Sequence, residues 1–241
     1  SFENGITSVD LGKPIYKNAI IQHRNYIDTL KACGLEIIEL PPLEDFPDST
    51  FVEDPALVFE NFAVITRPGA ESRKGEILFI KPIVEEHFQE VYEVKSPGTL
   101  EGGDILRVEN HVFIGMSERT NESGADQLLE ILKTNQMSGE KVELHEILHL
   151  KTGCSYLGDG NILVSPALFD FKGFHSLNKI LVDKNEEYAA NSLRINNFVI
   201  IPDGFPKIKE ELDKMGYFVK TIDVSEFRKM DGGLSCLSLR F

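Results

Sequence analysis

With 241 residues, the chain is long enough to bury a large core, either as one domain or as two smaller ones. Its formal net charge of −14, from 25 basic and 39 acidic residues, argues against nucleic acid or an anionic membrane as a partner and is compatible with a cationic ligand. No apolar run approaches the ~18–20 residues of a membrane-crossing helix, and three cysteines without C-x-x-C spacing favour a reducing cytoplasm over a disulfide scaffold or structural zinc.

A unit of about 50 residues recurs along the chain. Two short apolar runs joined by a polar pair or triplet are typical of a β-hairpin. The first two joints lie 49 residues apart (109 − 60), and the third follows about 50 residues later. We predict four hairpins with the joints Glu60-Asn61, Glu109-Asn110, Asp159-Gly160-Asn161 and Asn196-Asn197.

Helical patterns lie between the hairpins. Apolar residues recur at i, i+3 and i+4, with a glycine near two of the ends, which predicts amphipathic helices at 16–34, 122–136 and 206–216. A candidate strand follows each helix, at 35–41, 141–147 and 217–224.

Repeated units of two strands, a helix and a strand favour an α/β fold built as a radial or stacked array. A doubly wound parallel sheet is the alternative, and no G-x-G-x-x-G sequence supports it. In a closed ring the last segment pairs with the first. We therefore predict that the C-terminal "LSCLSLRF" is a core strand and not a frayed tail.

The first polar cluster is "FPDSTFVEDPA", which contains Asp48, Glu53 and Asp54. A solvated loop is the simplest interpretation of an acidic stretch. Glu53 and Asp54, however, stand between the apolar runs "TFV" and "PALVF", where buried carboxylates are costly without a cationic partner or a metal. This segment is therefore a candidate site.

The second cluster is "TLEGGDILRV". Gly102 and Gly103 permit a tight bend, left-handed if required, at the entrance to a strand. Glu101 and Asp104 would then stand at the start of the strand, where side chains can reach a shared cavity. A bulge with solvent-facing carboxylates is the alternative.

The third cluster is "ILHLKTGCSYLG". His149 lies between two leucines, a setting that is also typical of a structural histidine, and Cys154 in a glycine-flanked turn is a candidate nucleophile. His145, His149 and Cys154 are residue types that bind metals, but their spacing matches no metal motif.

Together the clusters supply a nucleophile, an imidazole and a carboxylate, the three parts of a Cys-His-Glu apparatus. They also hold surplus carboxylates, which oppose formation of a thiolate and are unsuited to a cysteine protease. They suit a cationic electrophile such as a guanidinium, whose N–H groups pair with carboxylates.

Six motifs, spread in order from near residue 1 to the last residue, resemble the dimethylarginine dimethylaminohydrolase family of the guanidino-modifying (pentein) superfamily, with its bacterial members most similar. They are "FPDSTFVEDPA", "VITRPGAESRKGE", "TLEGGDI", "IGMSERTNESGA", "LHLKTGCSYL" and "DGGLSCLSLRF". The resemblance implies one catalytic domain over residues 1–241, folded as a five-bladed α/β propeller of ββαβ units. The family has a further strand before the point where this chain begins, so we expect the first repeat to be incomplete.

The resemblance also implies roles for single residues. Cys236 would be the nucleophile, His149 the general acid and base, and Glu101 the carboxylate that orients the imidazole. Glu53 and Asp54 would bind the guanidinium. The other substrate-binding residues would be Asp48 at the amino-acid end, Arg73 and Arg119 at the carboxylate, and Ile6 in a mobile loop.

The implied reaction is hydrolysis of Nω-methylated arginine to citrulline and dimethylamine or methylamine, through an S-alkylthiouronium on Cys236. It needs no metal or organic cofactor and no nucleic-acid or membrane partner, and it allows a homodimer. Arginine deiminase, agmatine deiminase and amidinotransferase chemistry are alternatives within the superfamily, although Arg73 and Arg119 argue against agmatine. A non-catalytic binder of arginine-like cations and a papain-like protease are alternatives from other classes.

Overall fold

The computed structural model describes residues 1–8, 10–145 and 147–241. The α-helices in these ranges are α1 Tyr16–Ala32, α2 Ile77–His87, α3 Glu122–Thr134, α4 Pro206–Lys214 and α5 Ser225–Arg228. The strands are β1 Ala56–Val58, β2 Phe62–Ile65, β3 Glu90–Glu93, β4 Ile105–Val108, β5 His111–Met116, β6 Ser138–Glu143, β7 Cys154–Gly158, β8 Asn161–Val164, β9 Asn178–Leu181, β10 Leu193–Ile195, β11 Phe198–Pro202 and β12 Phe218–Ile222.

The strands of these ranges form four three-stranded sheets, β1-β2-β3, β4-β5-β6, β7-β8-β9 and β10-β11-β12. In each sheet the first two strands are an antiparallel hairpin and the third pairs in parallel with the second. The predicted ββαβ repeat is confirmed in three of them, with α2, α3 and α4 as the crossover helices. In the third sheet the short 3-10 helices Pro166–Leu168 and Lys172–Phe174 stand where the others have an α-helix.

All four predicted hairpin joints are confirmed. Glu109, Asp159 and Asn196, at the first turn position of three of them, have φ of 53°, 52° and 51°. Two-residue hairpin turns need such left-handed backbone to match the twist of the strands, and polar residues adopt it with less strain than β-branched ones.

Two strand predictions are wrong. Residues 35–41 form no strand, because no described strand runs beside this segment to complete a ladder. Ile38 in this segment is 55% exposed. The C-terminal segment is also not a strand. Ser235–Leu237 is a 3-10 helix, and the carbonyl of Cys236 accepts one isolated hydrogen bond, from the N–H of Glu53 (3.2 Å).

Other boundaries differ from the prediction. The strand predicted at 141–147 begins earlier, at Ser138, and ends at Glu143, while Glu146 lies outside the described residues. Helix α2 was not predicted, because its sequence "ILFIKPIVEEH" is apolar on several faces and contains Pro82, both of which obscure the helical period.

Backbone contacts divide the chain into two compact units. One contains residues 48–152 and 236–241, and the other contains residues 1–47 and 153–235. In the first unit, Val64 of β2, Ile114 of β5 and Leu128 of α3 are fully buried in one apolar core. In the second unit, Leu163 of β8, Val199 of β11 and Leu212 of α4 are fully buried in another apolar core. That a single domain spans residues 1–241 stays a prediction.

The helices of the described ranges are all too short or too polar to cross a lipid bilayer.

Three helices end in the same Schellman motif. After α1 and α4, Gly34 and Gly216 have φ of 93° and 88°, and the next N–H bonds back to the carbonyl five residues earlier (Leu35 to Leu30, Tyr217 to Leu212). After α3 the equivalent residue is Gln136, with φ of 58°. A glycine costs no steric strain in this conformation, whereas glutamine does.

We therefore predict that Gln136→Gly raises the free energy of unfolding by about 0.5–1 kcal/mol, measured by urea denaturation. The reciprocal control is Gly216→Gln, where a Cβ meets nothing within 4 Å. That change should lower the free energy by a similar amount, because only the φ strain is added. Equal signs for the two changes would contradict this account.

Candidate active site

The segment before β1 buries three carboxylates. Asp48, Glu53 and Asp54 are each only 4–5% exposed, so the solvated-loop interpretation of this segment is wrong. Backbone turns hold the segment, with N–H bonds from Phe51 to the carbonyl of Asp48 (2.9 Å) and from Asp54 to that of Phe51 (3.3 Å). The buried carboxylates therefore need partners, and the surrounding structure supplies them.

The two glycines before β4 allow a close approach. A Cβ on Gly102 would lie 2.0 Å from the carbonyl oxygen of Glu53, and one on Gly103 would lie 2.9 Å from Cγ of His149. Neither glycine has a positive φ, so a left-handed bend is not the reason for them. The N–H of Gly103 donates to Oδ1 of Asp54 (2.9 Å). The first and second clusters thus meet at the imidazole of the third.

The imidazole of His149 lies between two carboxylates. Its Nε2 is 3.5 Å from Oε2 of Glu101, and its Nδ1 is 3.2 Å from Oδ1 of Asp104. Ligand atoms of Asp54, Glu101 and His149 all lie within 4.8 Å of one another. The structure therefore brings together His149 and Glu101, as predicted, and adds Asp104 on the opposite nitrogen.

The electrostatics of the cluster favour an imidazolium. Burial by itself would lower the pKa of His149, but the hydrogen bond and charge of Asp104, with the charges of Asp54 and Glu101, outweigh it and raise this pKa from 6.5 to about 9. Burial and the nearby charge of Asp54 raise the pKa of Glu101, despite the opposing charges of His149, Arg73 and Arg119.

Arg73 is the cation that neutralises Asp54. Only 5% exposed, it donates from Nη1 to Oδ2 of Asp54 (2.5 Å), from Nη2 to the carbonyls of Asp48 and Phe51, and from Nε and Nη2 to Glu76. Burial by itself would lower the pKa of Arg73, but the charges of Asp54 and Glu76 outweigh it, so the net shift is upward. The Arg73 bond holds the pKa of Asp54 below its usual range although burial would raise it.

Glu53 ties the Cys236 segment to the segment before β1. Its backbone N–H donates to the carbonyl of Cys236, and its carboxylate accepts from Nζ of Lys151 (2.5 Å) and from Nη2 of Arg240 (3.3 Å). Lys151 follows His149 by two residues, and Arg240 follows Cys236 by four. The carboxylate predicted to bind a guanidinium thus pairs with two cations of the protein.

Arg119 and Ile6, two of the predicted substrate contacts, are less buried than the carboxylates of the site. Arg119 is half-buried, in the turn after β5, and its charge acts on Glu101. Ile6 is 37% exposed and belongs to the other compact unit, so its predicted contact stays a prediction.

Metal binding by His145, His149 and Cys154 finds no support in the described residues. Cys154 is fully buried as the first residue of β7. Among these residues, the group with metal-ligating atoms close together is Asp54, Glu101 and His149.

The sequence did not reveal three partners of the site, Glu76, Lys151 and Arg240. Arg73 and Glu76 are three residues apart in "SRKGE", a spacing that brings side chains together on one helical turn and could have indicated the pair. No local sequence pattern indicates Lys151 or Arg240, because each lies far from Glu53 in the sequence.

Comparison with known proteins gives the class. Residues 41–192 match the family model described as "Arginine deiminase". This range covers all of the buried carboxylates described above, together with His149.

The particular family follows from full-length similarity. The chain is 46% identical to N(G),N(G)-dimethylarginine dimethylaminohydrolase of Pseudomonas aeruginosa, over 100% of this chain and 95% of that protein. A solved structure of a cysteine-to-serine mutant of that organism's enzyme in complex with citrulline matches with a TM-score of 0.98, over 100% of this chain and 94% of the other. A second structure, an adduct of a dimethylarginine dimethylaminohydrolase variant with S-methyl-L-thiocitrulline, has 46% identity and the same TM-score, over 100% and 95% of the two chains. The chain belongs to the dimethylarginine dimethylaminohydrolase family.

The raised pKa of His149 predicts a pH-dependent stability. A group whose pKa is higher in the folded protein contributes stability below its unfolded pKa of about 6.5 and loses it as pH rises through about 9. We expect the free energy of unfolding of wild type, relative to His149→Gln, to fall by roughly 3 kcal/mol between pH 6 and pH 9.5. Chemical denaturation at several pH values measures this. A difference that is constant, or that grows with pH, would contradict the charge balance of the site.

Proposed function

We propose that the protein hydrolyses Nω-methylated arginines, asymmetric dimethylarginine and monomethylarginine, to citrulline and dimethylamine or methylamine. The observation that carries this is the set of three reactive side chains within 4.8 Å, two buried carboxylates and an imidazole. Such a site accepts a cation in preference to a neutral amide. A guanidinium already pairs with one of these carboxylates, since that of Arg73 binds Asp54.

The reaction begins at the central carbon of the guanidinium. The thiolate of Cys236 forms a C–S bond to this carbon, and the C–N bond to the methylated nitrogen then breaks. His149, protonated at neutral pH because of its raised pKa, donates its proton to that nitrogen, so that a neutral amine leaves. The product of this step is the S-alkylthiouronium.

Water completes the turnover. His149, now neutral, takes a proton from a water molecule that attacks the same carbon. The C–S bond breaks, the thiolate of Cys236 is restored, and the second proton of the water passes to solvent as citrulline is released. Much of the acceleration comes from holding the cation in line with the thiolate.

In this proposal Glu53 and Asp54 hold the guanidinium, and Glu101 orients the imidazole of His149. Arg119, together with Arg73, binds the substrate carboxylate, for which the planar fork of arginine is suited. Asp48 lies at the amino-acid end, and Ile6 covers the substrate. The burial of Asp48, Glu53 and Asp54 supports the guanidinium and amino-acid contacts, and the half-buried side chain of Arg119 supports the contact with the substrate carboxylate.

Arginine deiminase chemistry is the second candidate, and the "Arginine deiminase" family model that matches residues 41–192 favours it. It would use the same side chains on unmethylated arginine and release ammonia. The 46% identity over the full chain to an enzyme named for dimethylarginine places the methylated substrate first.

We further propose a cytoplasmic location and a homodimer. The three cysteines, all among the described residues, form no disulfide, which agrees with a reducing compartment. The proposed reaction uses no metal or organic cofactor.

The substrate assignment is tested with asymmetric dimethylarginine, monomethylarginine, arginine and agmatine, measuring citrulline (N-carbamoylputrescine from agmatine) and the released amine. We expect turnover of both methylated arginines, at rates unaffected by EDTA. We expect none with Cys236→Ser and wild-type rates with Cys33→Ser, the matched control. Faster turnover of arginine would make the protein a deiminase, and no product from any substrate would favour a non-catalytic binder.

The carboxylate clamp is tested with Arg119→Ala. Losing a charge-assisted pair should raise KM for methylated arginine about 10–100-fold with little change in kcat, whereas any turnover of agmatine, which has no carboxylate, should not change. Arg73→Ala, the other member of the clamp, should in addition lower the free energy of unfolding by about 3–5 kcal/mol, because it leaves Asp54 and Glu76 buried without their cation. An unchanged KM for methylated arginine in Arg119→Ala would remove Arg119 from the site.

A further inference from the structure

Residues 232–235 lead directly into Cys236, and we call them the approach segment. All four are buried, whereas Cys236 is partly exposed. The chain between α5 and the 3-10 helix that begins at Ser235 forms neither helix nor strand. Because buried backbone polar groups need partners, an irregular segment of this kind keeps one conformation only where other groups bind it. The side chains that bind the approach segment therefore determine where it delivers the next residue.

Asn191 binds the last residue of the approach segment twice. Its side-chain Oδ1 accepts from the backbone N–H of Ser235 (2.9 Å), and its Nδ2 donates to the hydroxyl of Ser235 (2.9 Å). Asn191 is only 5% exposed, and it belongs to the same compact unit as the approach segment. A planar amide that binds both the backbone and the side chain of one residue fixes its orientation as well as its position.

Gly233 leaves room for this amide. A Cβ at Gly233 would lie 2.6 Å from both Cγ and Oδ1 of Asn191, which is closer than real Cβ contacts come. The backbone of Gly233 does not have a positive φ, so its conformation does not require glycine. The second glycine of "DGGLSC" thus lets the amide of Asn191 lie against the chain three residues before Cys236.

Two tyrosines bind the other carbonyls of the approach segment. The hydroxyl of Tyr188 donates to the carbonyl of Gly232 (2.7 Å), and the hydroxyl of Tyr26, on α1, donates to the carbonyl of Leu234 (3.0 Å). Three side chains from separate parts of the sequence thus bind three of the four residues. Each such bond contributes about 0.5–1.5 kcal/mol.

Asn191 is itself held on both sides. The buried hydroxyl of Ser155 donates to the carbonyl of Ala190 (2.6 Å) and accepts from the N–H of Ser192 (2.8 Å). Ser155 belongs to β7, a strand of the third sheet. A residue can position another only if its own backbone is fixed, and the sheet meets this condition for Asn191.

We propose that Asn191 is a positioning residue for the nucleophile, because its amide holds Ser235 and so fixes the direction in which the chain enters Cys236. This deepens the proposed function and rests on the assignment of Cys236 as the nucleophile. Attack needs the sulfur and the guanidinium carbon at about 3–3.5 Å, and a displacement of about 1 Å can cost about 100-fold in rate.

The proposal separates kcat from KM. The residues proposed to bind substrate, among them Glu53, Asp54 and Arg119, lie outside the segments that Asn191 contacts. Loss of the amide in Asn191→Ala should therefore lower kcat for asymmetric dimethylarginine by about 10–100-fold, with little change in KM.

Gln22→Ala is the matched control. Gln22 is also a buried amide, 5% exposed, whose Oε1 accepts from the backbone N–H of Glu226 (3.0 Å) and whose Nε2 donates to Asp223 (2.8 Å) and Ser225 (2.9 Å). Both changes remove buried hydrogen bonds, so both should lower the free energy of unfolding. Only Asn191→Ala should lower kcat. Equal losses of kcat in the two variants, or a change confined to KM in Asn191→Ala, would overturn the proposal.

Ser235→Ala tests whether Asn191 acts through Ser235, and it is the milder change if Asn191→Ala does not fold. It removes one of the two bonds, so kcat should fall by about 2–10-fold. In the Asn191→Ala background the same change should cost nothing further, because its partner is already absent. An unchanged kcat in Ser235→Ala, or fully additive losses in the double variant, would count against the proposal.

Amide hydrogen exchange of the protein without substrate gives a readout that does not depend on turnover. Exchange at the Ser235 N–H should be faster in Asn191→Ala than in Gln22→Ala, measured by NMR of ¹⁵N-labelled protein. Exchange at Ser235 that is equal in these two variants would overturn the proposed hold on this residue. Absence of turnover in wild type would instead overturn the proposed function, and the exchange result would stand by itself.

Discussion

The burial of carboxylates in one compact unit is the constraint on which this site depends. Glu53, Asp54, Glu101 and Asp104 are each 5% exposed or less, and a carboxylate taken out of water is tolerated only with partners. Each of these four carboxylates has a different set of partners. Glu53 has Lys151 and Arg240, Asp54 has Arg73 and a backbone N–H, and Asp104 has hydroxyls and a backbone N–H. Glu101 accepts from two backbone N–H groups and lies against the imidazole.

These partners also connect the parts of the chain that carry the chemistry. Glu53 joins the Cys236 segment to the loop of His149 through Lys151, and Asp54 joins the segment before β1 to Gly103. The net result is a histidine whose pKa is raised to about 9, next to carboxylates that a substrate cation would neutralise. A protein of this charge distribution is suited to guanidinium chemistry, in agreement with the family to which it belongs.

The repeat and the buried acidic clusters could be predicted from local signals in the sequence, whereas the roles of single site residues were implied by the family resemblance and stay predictions. The hairpin joints need polar residues with positive φ, and Glu109 and Asn196 supply them. The carboxylates of "FVEDP" and "LEGGD" stood out because they interrupt apolar runs. What could not be predicted depends on tertiary context. Gly102 and Gly103 serve a close approach to Glu53 and His149, Arg240 reaches a carboxylate 187 residues away in sequence, and the C-terminal segment forms no ladder despite its alternating pattern.

The central claim is that this anionic cluster presents a guanidinium carbon to Cys236. Rapid acid quench during turnover of asymmetric dimethylarginine, followed by peptide mass spectrometry, tests it most directly. We expect a transient adduct with the mass of substrate less dimethylamine, on the peptide that contains Cys236. An adduct on Cys33 or Cys154, or turnover to citrulline with no adduct on any cysteine, would contradict it.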